Sequence, residues 1–143
     1  MKSTRNKIIM VDDNITNLTV AKNLLTDIYD IFTVPSAKKL FQLIEKLTPD
    51  LILLDIEMPE MNGYETIERL KSNESTASIP VIFLTADDSS ENKEKGLSLG
   101  AVDYITKPFS KELLVKRIEV HLLDKAQKDS LNNCSQNLEK NDQ

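Results

Sequence analysis

The chain is poor in the residues that build several common kinds of site. Cys134 is the single cysteine in 143 residues, so neither an internal disulfide nor a cysteine-based metal centre can form. A lone thiol agrees with a reducing compartment. Three glycines, scattered at Gly63, Gly96 and Gly100, make no glycine-rich loop for the phosphates of a nucleotide. With no tryptophan and 5% aromatics there is no stacking platform for bases. Lysines are interleaved with acids at a net charge of −5, without a basic stripe, so direct nucleic-acid binding is not expected. No apolar run approaches the roughly 18–20 residues of a membrane span. The basic start from Met1 to Lys7 is not followed by a long apolar segment or a small-residue cleavage site, so no signal peptide is read. The expected location is cytoplasmic, away from membranes.

What is present is a regular alternation. The 143 residues, 40% hydrophobic, suffice for one core. Strand-like runs occur at Lys7–Val11, Tyr29–Val34, Leu51–Leu54, Val81–Leu84 and Val102–Thr106. Between them apolar residues recur at helical spacing. The sets are Ile15, Leu18, Ala21, Leu24, Leu25 and Ile28; Ala37, Leu40, Phe41, Ile44 and Leu47; and Tyr64, Ile67 and Leu70. A very polar helix is expected from Asp88 to Leu99, closed by Gly100, and a last one with Leu113, Leu114, Ile118 and Leu122 inward. Ser36 and Ser110 are expected N-caps. Five βα units in succession imply a doubly wound parallel sheet, with the flavodoxin-like strand order 2-1-3-4-5. Unalternating runs such as Leu51–Leu54 suit strands buried on both faces. From residue 124 the composition turns polar, and residues 124–143 read as a frayed tail or the start of a linker. Residues 1–6 form an extension and 7–123 the domain.

Four of the runs end in chemically complementary groups. The first ends in Asp12 and Asp13, the third in Asp55, the fourth in Thr85, and the fifth in Lys107-Pro108. In a parallel sheet these ends share one edge, where three carboxylates, a hydroxyl and an ammonium would meet. Asp12 and Asp13 taken alone could cap the first helix. Asp55 is harder to explain so simply, because a carboxylate directly after four large aliphatics is partly buried and needs compensation. Nearby Asp12 and Asp13 worsen that conflict by repulsion, and a cation resolves it. Hard oxygen donors, with no cysteine and no well-placed histidine, favour Mg²⁺. Such a site suits a phosphoryl group. The one histidine, His121, reads as a surface residue or a partner of its helix C-terminus, and Met58 and Met61 as loop packing.

Over roughly residues 6–123 the chain resembles the receiver domains of two-component response regulators. The matching motifs are Val11-Asp12-Asp13-Asn14, the segment from Leu53 to Gly63, Phe83-Leu84-Thr85-Ala86, Gly100-Ala101-Val102-Asp103-Tyr104 and Lys107-Pro108-Phe109. The resemblance implies that Asp55 is phosphorylated from a phosphohistidine on a sensor histidine kinase or phosphotransfer protein. It also implies Mg²⁺ held by Asp13, Asp55 and the backbone carbonyl of Glu57, with Asp12 acting mainly through water. Lys107 and Thr85 would contact the phosphoryl oxygens, and the Lys107-Pro108 peptide would be cis. Thr85 and Tyr104 would form the switch, Tyr104 moving from exposed to buried and altering a surface of helix 4, strand 5 and helix 5. That surface would control an output domain or protein and could support a homodimer. By the same resemblance, Glu57 and Asp87, two residues beyond Asp55 and Thr85, would stand at positions that vary in the family and influence loss of the phosphoryl group.

Two other classes share parts of this set. A Mg²⁺-dependent aspartyl phosphohydrolase of the haloacid-dehalogenase type wants a second aspartate two residues after the nucleophile, where this chain has Glu57. A pseudo-receiver that only binds partners would not need the complete set of acids, threonine and lysine.

Overall fold

The computed structural model describes residues 5–86, 90–107 and 110–124. Five strands, β1 (Lys7–Val11), β2 (Asp30–Val34), β3 (Leu51–Asp55), β4 (Val81–Thr85) and β5 (Asp103–Thr106), form one sheet in the order β2-β1-β3-β4-β5. All four pairings are parallel. The helices are α1 (Ile15–Leu25), α2 (Ala37–Ile44), α3 (Gly63–Ser72), α4 (Ser90–Ser98) and α5 (111–124). The expected order 2-1-3-4-5 is therefore the observed one.

Strand periodicity divides the core in two. Ile9, Val11, Ile52, Leu54, Val81, Phe83 and Tyr104 face one side, where Leu40 of α2 and Ile67 and Leu70 of α3 cover them. Ile8, Met10, Leu51, Leu53, Ile82, Leu84 and Ile105 face the other, under Leu18, Ala21 and Leu25 of α1 and Leu114 and Ile118 of α5. Every position of β3 and β4 is buried, which is why those runs do not alternate in sequence. Each large aliphatic removed from water here contributes about 1.5–3 kcal/mol.

Local signals set the boundaries. Ser36 accepts from the Lys39 amide and Ser110 from the Leu113 amide, as N-caps do. Gly100 follows α4 at φ 114°, a left-handed conformation, and the Ala101 amide donates back to the Gly96 carbonyl. Arg5 donates to the carbonyls of Thr26, Ile28 and Tyr29, closing the turn between α1 and β2. Arg5 and Asn6 share a surface hollow with Leu122 and Leu123 near the end of α5.

Some expectations need correction at element ends. Ile15 is 75% exposed rather than inward, because it opens α1 beyond the rim of the sheet. Leu113 also faces outward, and Val115 takes a half-buried place beside Leu114 and Ile118. Val102 lies exposed ahead of β5, and α2 ends at Ile44, with Leu47 packing from the following turn. The expected start of α4 at Asp88, the cis peptide to Pro108, the role of Asp87 and the tail beyond residue 124 lie outside the described residues.

Candidate functional site

Strand register brings the predicted groups to one edge. Val11 pairs with Leu54, Asp55 with Leu84, and Thr85 with Thr106, so the next residues, Asp12 and Lys107, flank Asp55 and Thr85. The Lys107 amide donates to the Thr85 carbonyl at 2.6 Å, carrying the β4–β5 pairing one residue past the strands. Carboxylate oxygens of Asp12, Asp13 and Asp55 all lie within 4.8 Å of one another.

Asp12 is fully buried, and its oxygens are engaged. Oδ1 accepts from the Asn14 amide at 2.9 Å, while Oδ2 accepts from Asn17 Nδ2 at 3.1 Å and Lys107 Nζ at 3.0 Å. The cap of α1 is Asn14, whose side chain accepts from the Asn17 amide, so neither aspartate serves as the cap. Asp13, by contrast, is exposed at the mouth of the site. Lys107 Nζ also donates to Asp55 Oδ1 at 3.3 Å. One ammonium thus bridges two buried carboxylates from residues 95 and 52 positions away.

The electrostatics follow from this crowding. Burial, reinforced by the charge of Asp12, pushes the Asp55 carboxyl up to about 6, against the opposing pull of Lys107. Burial alone would lower the Lys107 pKa. The hydrogen bond and charge of Asp12, together with those of Asp55, outweigh it and raise that pKa instead. The lysine is therefore held charged and aimed at the acids.

The loop after β3 shapes the opposite wall. Glu60 has φ 68°, and the Met61 amide donates to the Pro59 carbonyl at 2.8 Å, a tight three-residue turn in a strained conformation. Asn62 and Glu65 cap α3 reciprocally. Gly63 is required by proximity: a Cβ there would lie 2.6 Å from the Asp55 carbonyl oxygen and 2.8 Å from Ile56 Cα. The helix start consequently packs on the backbone that carries Asp55. The resulting cleft is lined by Asp13, Ile56, Glu57, Met58, Pro59, Asn62, Tyr64 and Thr85. Thr85 is buried at the end of β4, and Tyr104 is buried in the core beside Phe83, its partner in the β4–β5 register.

Sequence reasoning missed several members. Asn17 holds Asp12 from the first turn of α1, and Tyr64 forms part of the cleft wall. His121 belongs to a cluster with Arg117 around Asp103, and its Nε2 lies 2.8 Å from Asp103 Oδ2. Only the asparagine's place one turn after Asp12 could have signalled its role in advance.

The donor set fits a hard divalent cation: three carboxylates converge, one of them exposed, without sulfur or imidazole in the group. Fold and site together define a CheY-like, flavodoxin-like α/β protein with an acidic edge on the carboxyl ends of its strands. The family model described as the response regulator receiver domain matches residues 8–119, and the chain belongs to that family. It is a receiver domain of two-component signalling.

A Vibrio cholerae protein described as a "probable cyclic di-GMP phosphodiesterase" is 43% identical over 132 residues, covering 92% of this chain and 30% of that protein. Protein PilG of Pseudomonas aeruginosa is 36% identical over 117 residues, covering 81% of this chain and 87% of PilG. The chain thus spans less than a third of the first relative and most of the second. Among solved structures, the chemotaxis protein CheY4 of Vibrio cholerae superposes with a TM-score of 0.77 at 28% identity, covering 81% of this chain and 98% of CheY4. A CheY-like receiver domain protein from Methanospirillum hungatei gives a TM-score of 0.80 at 28% identity, covering 87% of this chain and 99% of that one.

Proposed function

We propose that Asp55 accepts a phosphoryl group from a phosphohistidine on a sensor histidine kinase or phosphotransfer protein, and that its phosphorylation switches the surface of α4, β5 and α5. The observation that carries this reading is the Lys107 ammonium shared between buried Asp12 and Asp55, with Asp13 exposed beside them. A buried acid pair held by one cation beside an open cleft is costly for stability alone. It is well suited to receiving a charged group.

In this reading Mg²⁺ is held by Asp13 and Asp55, with the backbone carbonyl of Glu57 and with Asp12 acting mainly through water. When bound it neutralises charge and aligns the reactants. The chain's own residues do the rest. An Asp55 oxygen attacks phosphorus as the phosphorus–nitrogen bond of the donor breaks, leaving its electron pair on the imidazole. Lys107 turns from sharing its protons with Asp55 to pairing with a phosphoryl oxygen. Thr85 donates its hydroxyl to another, and its movement is coupled to Tyr104 two elements of chain later. The added charge and the new charge-assisted contacts to the phosphoryl oxygens bias a two-state surface.

The partners follow from the same reading: a phosphodonor at the acidic edge and an output domain or protein at the switch surface, which could also pair two copies. The domain covers 7–123, with 1–6 an extension and 124–143 a tail or linker. A cytoplasmic site of action, away from membrane and nucleic acid, agrees with the net charge of −5, and among the described residues no helix is long and apolar enough to cross a membrane.

The test is incubation with acetyl phosphate and Mg²⁺ followed by intact-mass and peptide analysis. One phosphoryl group on Asp55 is expected, absent in Asp55→Asn and absent with EDTA. Modification that persists in Asp55→Asn ends the reading.

A further inference from the structure

Helix α4 is attached to the domain in an unusual way. Among its described side-chain positions only Gly96 is buried; Glu91, Glu94, Lys95, Leu97 and Ser98 are exposed. A Cβ on Gly96 would lie 2.7 Å from a ring carbon of Phe83, so the helix backbone rests directly on that ring. The same ring meets Tyr64 edge to face, with centroids 5.6 Å apart and planes at 70°. Lys95 reaches from α4 to place its ammonium 4.4 Å from the centre of the Tyr64 ring. Tyr64, in the first turn of α3, lines the cleft together with Thr85, Asn62 and Asp13. Among the described residues it is the only aromatic in that wall.

We propose that Tyr64 is a water shield on the phosphorylation cleft and that Lys95 is the positioning residue that holds the shield closed. The inference rests on the reading of Asp55 as phosphoacceptor and goes beyond it, assigning residues that set the lifetime of the modified state. The step controlled is hydrolysis. A water oxygen attacks phosphorus, the bond from phosphorus to the Asp55 oxygen breaks, and Asp55 leaves as a carboxylate with its electron pair. The two protons of the water end on orthophosphate. The ring reduces the access of that water from the α3–α4 side. Because its ammonium partner sits on α4, any displacement of α4 loosens the shield, so a partner docked on α4 tunes the decay without touching the reacting atoms.

The test uses the full chain phosphorylated with acetyl phosphate and Mg²⁺, freed of donor, and followed by loss of phosphoryl mass. Tyr64→Ala is expected to decay about fivefold faster or more, and Tyr64→Phe within about twofold of the unmodified chain. Lys95→Met is expected to decay roughly two- to fivefold faster, and Lys95→Arg to restore the slow rate, since a guanidinium also binds a ring face. Lys95 is exposed, so its variants are expected to fold and to melt close to the unmodified chain, which separates shielding from stability. Equal decay in all variants, slower decay in Tyr64→Ala, or decay of Lys95→Arg as fast as Lys95→Met overturns the inference. Labelling followed by identical decay leaves the phosphoacceptor reading intact, whereas no labelling of Asp55 in the unmodified chain overturns both.

Discussion

Asp55 ends a strand in which every position is buried, and its carboxylate lies beside that of Asp12 with Lys107 between them. Its pKa, pushed up to about 6, fixes the sign of a stability effect. Between about pH 4 and pH 6 the native chain keeps a proton that the unfolded chain has released, so rising pH favours unfolding across that window. Above it the deficit is constant, about 2–3 kcal/mol at roughly 1.4 kcal/mol per unit of pKa. Metal-free wild type and Asp55→Asn are therefore expected to unfold at similar urea concentrations near pH 4 and to diverge as pH rises. The variant should be more stable by about 2 kcal/mol above pH 6, and added Mg²⁺ should close the gap. Parallel pH profiles would remove the account of Asp55 as a strained buried acid. The sequence made Asp55 conspicuous because four aliphatics precede it. The one local sign of Asn17 as a partner of Asp12 was the spacing of one turn, which is weak because an asparagine in a first helical turn is ordinary.

Among the elements, α4 and β5 carry the sharpest expectations. Gly96→Ala gains helix propensity of about 1 kcal/mol. It also drives a methyl group to 2.7 Å from the Phe83 ring, which is itself fully buried and cannot retreat. Overpacking of this kind costs about 1–3 kcal/mol, so a net loss of stability by thermal denaturation is expected, with hydrogen exchange rising first in α4. Asp103, at the start of β5, binds Arg117 and His121 of α5 and the Tyr104 amide. Burial alone would raise its pKa. The hydrogen bonds of His121, Tyr104 and Arg117 outweigh burial and hold the carboxyl below its usual range. Its stabilisation is thus complete above the ordinary carboxylate pKa and lost as pH falls through the depressed one. Asp103→Asn should cost about 1–2 kcal/mol at pH 7 and progressively less below pH 4, measured by urea denaturation. This cluster was illegible beforehand because its members stand 14 and 18 positions from Asp103, on a different element. Helix ends failed for a related reason: periodicity places Ile15 and Leu113 on apolar faces but does not say where the sheet beneath them stops.

For the molecule as a whole, alternation of strand and helix patterns with right-handed crossovers leaves a few topologies. The order 2-1-3-4-5 is selected among them because it makes β1 central and joins the ends of β1 and β3. The meeting of Asp12, Asp55 and Lys107 then follows from topology, because parallel strands must deliver their carboxyl ends to one edge. A cation at that edge should stabilise the entire fold by linkage, about 1.4 kcal/mol at ten times its dissociation constant. Melting temperature should therefore climb with the logarithm of Mg²⁺ concentration. Asp13→Asn, which alters an exposed side chain, should keep the metal-free melting temperature and lose most of that climb. A full Mg²⁺ response in this variant would count against Asp13 as a ligand. The same parallel arrangement has a practical corollary. Arg5 and the end of α5 meet in one hollow, at the rim where the strands begin. A fluorophore, affinity handle or surface tether attached at Asn6 or Leu123 would hang across the full length of the strands from Asp55, so protein labelled at those positions should react as the unlabelled chain does.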